Sequence, residues 1–270
     1  MGDVSFVGEL EFSECDLNDL REAKRRLEHP SLAARVAATL GSPIEAGLKR
    51  LPRGWNHRVG EATEAALFKG LEYAIRTMGE AEPRPSRNWL HKVVVVGSGA
   101  AAGAAGIYFL IVELPFSTCV MLRSIADIAR SEGHDVSQLE VQLGCLGVFA
   151  LGGKSPLDDS SETGYWTTRA ALAKLVPEAV SHLTRQGAVH EGAPALIRLI
   201  SAIGSRFSVV VTEEVAAKAV PVLGAVSGAG INYLFMDHFQ EMARGHFAIL
   251  RLEKKYGTEI VEGIYREMAV

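Results

Sequence analysis

Several things are scarce in this 270-residue chain, and each scarcity excludes something. Cysteine is rare: Cys15, Cys119 and Cys145 are scattered and odd in number, which argues against a disulfide framework and against a zinc-binding spacing. Aromatic residues make up only 7%, and no basic stretch stands out in a chain of formal net charge -4, so nucleic acid is not expected as a partner. The opening residues MGDVSFVGELEFSE are acidic and lack the charged, apolar and small-residue succession of a secretory signal. Catalytic signatures are missing as well. No HExxH supports a zinc protease, and no GxSxG supports a hydrolase elbow. Gly153-Lys154-Ser155 resembles the end of a phosphate-binding loop, but the glycine required five residues before Gly153 is Val148, so the motif fails.

What the chain has in abundance is glycine inside apolar runs. There are 27 glycines, apolar residues reach 48%, charged residues only 22%, and mean hydropathy is +0.13. From Val93 to Val112 no residue carries a formal charge, and the same holds from Ala219 to Met236. Both runs come close to the roughly 20 residues of a bilayer span. Gly97, Gly99 and Gly103 after four valines sketch a dinucleotide turn. The third glycine is one place late for GxGxxG, however, and Glu113 falls early for a ribose-binding acid. A helix accounts for more of the residues. Gly99, Gly103 and Gly106 put small side chains on one face, and Gly224 and Gly228 do so in the second run. Such faces let helix backbones approach closely, within one chain or between copies in a homo-oligomer. Glu113 to Pro115 is expected to be a corner, with Pro115 in the first turn of a new helix that carries the pair Arg123 and Asp127.

Periodicity predicts helices elsewhere too. One has Asp16 and Asp19 as its cap and first turn and runs through Glu28, where His29-Pro30 ends it, its REAKRR stretch forming a solvated face. Another starts from Ser31, and a third is capped by Ser42 before Pro43. A long helix is expected from Asn56 to Met78 after a turn at Leu51–Trp55. Ser137 and Glu140 match a capping box for a helix to Ala150. Further helices are expected over Tyr165–Leu175, Ala195–Lys218, the second glycine-rich run continuing to Tyr256, and Thr258–Met268. Residues 79–88 are the clearest linker, and 152–164 read as a polar loop. The expected organisation is a flexible lead over residues 1–14 and one all-α bundle over 15–270, centred on two Gly/Ala-rich apolar helices and containing an internal linker at 79–88.

Chemistry-bearing candidates cluster on the last long helix. Asp237, His238 and Glu241 share a face, and His246 follows two turns after His238. Glu113, Asp127, Glu213 and Glu214 could join them if the bundle folds back. Catalytic candidates are therefore Glu113, Asp127, His238 and Glu241, and metal candidates are Asp237, His238, Glu241 and His246. Carboxylate and histidine pairs in bundles hold divalent metals, typically as Glu-x-x-His, whereas here the order is reversed and occurs once. The structural alternative is a helix with ordinary ion pairs. Glu214 and Lys218 read as one such pair, Cys119 as a buried structural thiol, and Phe235, Phe239 and Phe247 as a core stripe.

The strings ELPFSTCVMLRSIADIAR (113–130), CLGVFALGG (145–153), SAIGSRF (201–207) and AAKAVPVLGAVSGAGINYLFMDHFQEMARGHFAILRLEKKYG (216–257) resemble the EcsC protein family, over roughly residues 15–268. The resemblance implies that Glu113, Arg123, Asp127, Arg206, Asn232, His238 and His246 are characteristic positions. The family's name comes from a bacterial gene set that also encodes an ABC exporter, and its biochemical role is undefined. The resulting expectation is a non-enzymatic accessory protein, cytoplasmic or peripheral on the cytoplasmic face, that binds a membrane surface, a lipid or a membrane protein, with a link to an ABC transporter and no cofactor. Two enzymatic alternatives stand beside it. One is a metal-dependent enzyme using the carboxylate-histidine set with a divalent ion, and the other is an enzyme acting on a small apolar substrate.

Overall fold

The structure is a computed structural model that describes residues 12–28, 32, 47–49, 51–78, 107–151, 164–187, 189–218 and 224–268. Every element among these residues is a helix, and no strand occurs. In chain order they are α1 (Glu14–Leu27), α2 (Trp55–Thr77), α3 (Ile107–Ser131), α4 (Leu139–Leu151), α5 (Gly164–Leu172), α6 (Leu175–Gln186), α7 (Pro194–Lys218), α8 (Gly224–Tyr256) and α9 (Thr258–Glu267). The fold is all-α. The expected helix from Ser31 and the Ser42 cap lie outside the described residues, as do the linker at 79–88, most of the lead, residues 93–106 and most of the polar loop.

Two cores organise the bundle, and α8 runs through both. At 33 residues it is about 50 Å long. Its first part gives Ile231, Phe235, Phe239, Ala243 and Phe247 to the larger core, with Leu67 and Leu71 of α2, Leu122 and Ile125 of α3, Phe149 of α4 and Ile203 and Phe207 of α7. Phe149, Phe207 and Phe239 meet with ring centroids 4.6 to 5.4 Å apart, in tilted and edge-on contacts that add to simple burial. The later part of α8 gives Ile249, Leu252 and Tyr256 to a smaller core with Leu20 of α1, Tyr165 and Trp166 of α5 and Tyr265 of α9. The expected phenylalanine stripe is thus a core stripe, and Ile200, Ile203, Phe207, Val210 and Val211 are all buried as their spacing implies.

Several local expectations are corrected. Helix α1 begins one turn earlier than expected, capped by Ser13. The Ser13 Oγ accepts the Asp16 amide at 3.1 Å and donates to the Asp16 carboxylate at 2.6 Å, so Asp16 belongs to the first turn and is not the cap. The REAKRR stretch is not wholly solvated: Ala23 and Lys24 are buried, and the Lys24 Nζ donates to the carbonyls of Tyr265 and Met268 at 3.0 and 2.6 Å. Pro115 does not open a new helix. It lies inside a continuous α3, where its missing N–H leaves the Ile111 carbonyl without its helical donor. Packing on α2 and α8 holds the helix through that defect, and the Ser117 hydroxyl donates back to the Leu114 carbonyl at 3.1 Å. The Ser137–Glu140 box is replaced by an Asx turn, in which Asp135 accepts both the amide and the hydroxyl of Ser137 at 2.9 and 2.7 Å. The single helix expected over Tyr165–Leu175 ends at Leu172, and a separate one starts at Leu175 with Pro177 in its first turn.

Close helix approach does occur, at single glycines. A Cβ on Gly245 of α8 would stand 2.7 Å from the Leu27 Cγ and 3.0 Å from the Ala23 carbonyl oxygen of α1. A Cβ on Gly47 would run into the Ala216 carbonyl of α7. The proposed stripe of Gly99, Gly103 and Gly106 lies outside the described residues, and at Gly230, next to the second stripe, the space is open.

Candidate functional site

The sequence places Glu113, Leu114 and Ser117 on one face of α3, Val211, Glu214, Val215 and Lys218 at steps of three and four on α7, and Asn232 and Phe235 three apart on α8. The fold brings these faces together around a cavity of about 10 Å³, space for about one water molecule. Its lining is unusually polar for the interior of a bundle. Glu113, Ser117, Glu214 and Asn232 are all buried, and the Lys218 side chain is only 7% exposed. The Lys218 Nζ donates to the Glu214 carboxylate at 2.6 Å. The Glu214–Lys218 pair expected from i,i+4 spacing therefore exists, but it is buried at a three-helix junction and is not an ordinary surface pair. Desolvation pushes Glu214 above the usual carboxylate range; Lys218 pulls it partly back, and the nearby charge of Glu113 raises it further. Chemically the arrangement holds two carboxylates, an ammonium, an amide and a hydroxyl around space for about one water molecule.

This junction also marks one end of the bundle. Helices α3 and α8 both start near it and α7 finishes at Lys218. Of the uncharged run 93–112, residues 107–112 form the start of α3, and of the run 219–236, residues 224–236 form the start of α8. Phe116 and Tyr233, each one residue beyond a cavity-lining position, are 52% and 44% exposed.

The remaining candidates are dispersed. Asp127 accepts from Arg130 at 2.7 Å along α3, while Arg123 reaches the Thr77 carbonyl at 3.4 Å. Glu241 bridges Arg26 of α1 at 3.3 Å and Arg244 on its own helix. Asp237 is half-buried, and His238 is buried beside Phe239. His246 lies against the smaller core, where its Nδ1 and the Tyr165 hydroxyl share a hydrogen bond at 3.0 Å. Burial, reinforced by the nearby Arg169, lowers it to about 3, so its ring is neutral at physiological pH. That histidine is built into a network in which Arg169 holds Glu253 through two bonds of 2.7 and 2.8 Å and lies over Trp166. Asp237, His238, Glu241 and His246 are thus carried on one helix but divided between different surroundings. Among the described residues no group of three His, Cys, Asp or Glu side chains is placed to hold a metal ion. Burial raises both Cys119 and Cys145, away from reactive thiolates, and all three cysteines are free.

By spacing alone Glu214 and Lys218 read as an ordinary helical pair, with Glu214 also a possible companion of the acids on the last long helix, and nothing ties Ser117 to them. The available signal was the apolar company of Glu214 and Lys218, which follow Val209–Val211 and flank Val215–Ala217. Charged residues so placed on an apolar helix are buried or paired.

Taken together, the described residues define an all-helical protein with a buried polar junction near the starts of α3 and α8 and the end of α7. Its family is identified directly: the model of the EcsC protein family matches residues 15–252, nearly the whole of the described fold, and the chain belongs to that family. No curated protein and no solved structure matches it.

Proposed function

We propose that this chain is a non-enzymatic accessory protein that docks on a membrane surface, a lipid or a membrane protein through the end of the bundle at the polar junction. The observation that carries this reading is that the described parts of both uncharged runs, which form the starts of α3 and α8, lie at that one end. Exposed Phe116 and Tyr233 support it, since aromatic rings favour the boundary between water and lipid headgroups. The buried Glu214–Lys218 pair gives the end a charged interior that packing must keep covered. Helix α7 is long and apolar enough to cross a membrane, but it packs against α2, α4, α6 and α8 and works here as a core helix. Three unpaired cysteines suit a reducing compartment, which favours the cytoplasmic side. The link to an ABC transporter rests on the family's name-giving gene set and extends the same reading to a membrane-protein partner.

Vesicle flotation tests the proposal. The intact chain is expected to float with phosphatidylcholine–phosphatidylglycerol vesicles, and replacing Phe116 and Tyr233 together by serine is expected to weaken binding at least tenfold, in line with about 1.5–3 kcal/mol per buried large side chain. A chain that stays wholly in the unbound fraction at high lipid overturns it.

A further inference from the structure

A second concave surface lies far from the polar junction, between α6 and the start of α7. On α6 the residues Glu178, Ser181, His182 and Arg185 recur at steps of three, one and three, so they share one helix face. Arg198 on the second turn of α7 faces them, and together with prolines and an alanine they line a groove of about 560 Å³. The groove is open to solvent, and the Arg198 and Glu178 side chains in it are exposed. The groove is cationic on a chain whose net charge is negative, with two guanidiniums against a single carboxylate.

The hydrogen bonds inside the groove position its donors without exhausting them. Glu178 accepts one N–H of Arg198 at 2.6 Å, leaving the rest of that guanidinium's five N–H donors. Arg185 gives its Nε to the Ser181 carbonyl at 3.1 Å and one terminal nitrogen to the Ser181 hydroxyl oxygen at 3.0 Å. Because the Ser181 oxygen accepts there, its own O–H remains available to donate. Two preset guanidinium forks and a hydroxyl form a donor set suited to several oxygens around one centre, and a phosphate group supplies those oxygens and the negative charge.

We infer that this groove binds the phosphate group of a phosphate-bearing ligand. Its volume exceeds what one phosphate fills, so the rest of the ligand lies along the groove. The groove stands at the opposite end of the 25-residue α7 from Lys218, about 36 Å away, so it is separate from the membrane-docking end and does not rest on that reading.

Titration calorimetry of the intact chain with inorganic phosphate and with glycerol 3-phosphate tests the inference, in parallel with flotation on phosphatidylcholine vesicles with and without phosphatidic acid. Saturable binding of a soluble phosphate, weakened at least about tenfold in the Arg185→Ala/Arg198→Ala double variant, supports it and points to a soluble ligand. Binding confined to phosphatidic acid vesicles and lost in the same variant supports it with a lipid headgroup as the source. Both arginines are exposed, so the variant is expected to keep its helical circular dichroism, and Ser181→Ala provides a milder second perturbation. No binding in either arm, or binding with undiminished affinity in the folded double variant, overturns the inference.

Discussion

Lys218 and Glu214 show what a buried charge costs at the scale of single residues. Removing one partner of a buried ion pair strands the other and typically costs about 3–5 kcal/mol, whereas replacing both by apolar residues of similar size is often neutral or stabilising. Lys218→Met alone is therefore expected to destabilise the fold by roughly 3 kcal/mol, and Glu214→Leu combined with Lys218→Met by far less, as measured by urea unfolding at pH 7. The pH dependence carries the same logic. Because Glu214 in the fold lies above its ordinary 4.5, the fold favours its protonated form. That contribution is fully present below pH 4.5 and is lost as pH rises through the raised value. The double variant should lack this decline between pH 4.5 and the raised value; an unchanged profile would exclude Glu214 as its source.

At the scale of the helix, the useful contrast is between two glycines that look alike in sequence. Gly245 lies under α1, and a methyl group there meets a backbone carbonyl and Leu27, so Gly245→Ala is expected to cost about 1–3 kcal/mol. Gly263, inside α9, has nothing within reach of an added Cβ, so Gly263→Ala is expected to gain about 0.5–1 kcal/mol from helix propensity. Thermal melts of the two variants should move in opposite directions, and a shared sign would refute the packing account. The existence of these helices was largely legible, because apolar residues at steps of three and four mark α2, α7 and α8 plainly. Their ends were less so. Ser13 and Asp135 capture nearby amides by hydrogen bonds that several polar neighbours could equally have made, and Pro115 reads locally as a helix start although its neighbours in space carry the helix past it.

At the scale of the whole molecule, α8 joins the two cores like a spine. Trp55 is buried in the larger core and Trp166 in the smaller. If the shared helix makes the cores one cooperative unit, single-tryptophan variants retaining Trp55 or Trp166 should report the same denaturant midpoint by fluorescence. Separated midpoints would show that the smaller core unfolds independently. The candidate site is legible only in part at this scale. Glu113 stood out as a charge bounding an uncharged run, and Glu214 as a possible companion, but their meeting requires α3 and α7 to come together from distant parts of the chain. Conversely, the neat spacing of Asp237, His238, Glu241 and His246 suggested one site, and the fold distributes them among separate neighbours.

The pattern of apolar residues along the chain determined by itself that this protein is all-α, because a 3.6-residue period leaves one face of each segment in need of burial. The strings it shares with its family likewise carried the EcsC membership without help from coordinates. Only the tertiary structure decided which charges went inside, where two helices needed a bare glycine between them, and which histidine was kept neutral. Those outcomes depend on neighbours far apart in sequence, and desolvation and close contact act on whatever the fold places within a few ångströms.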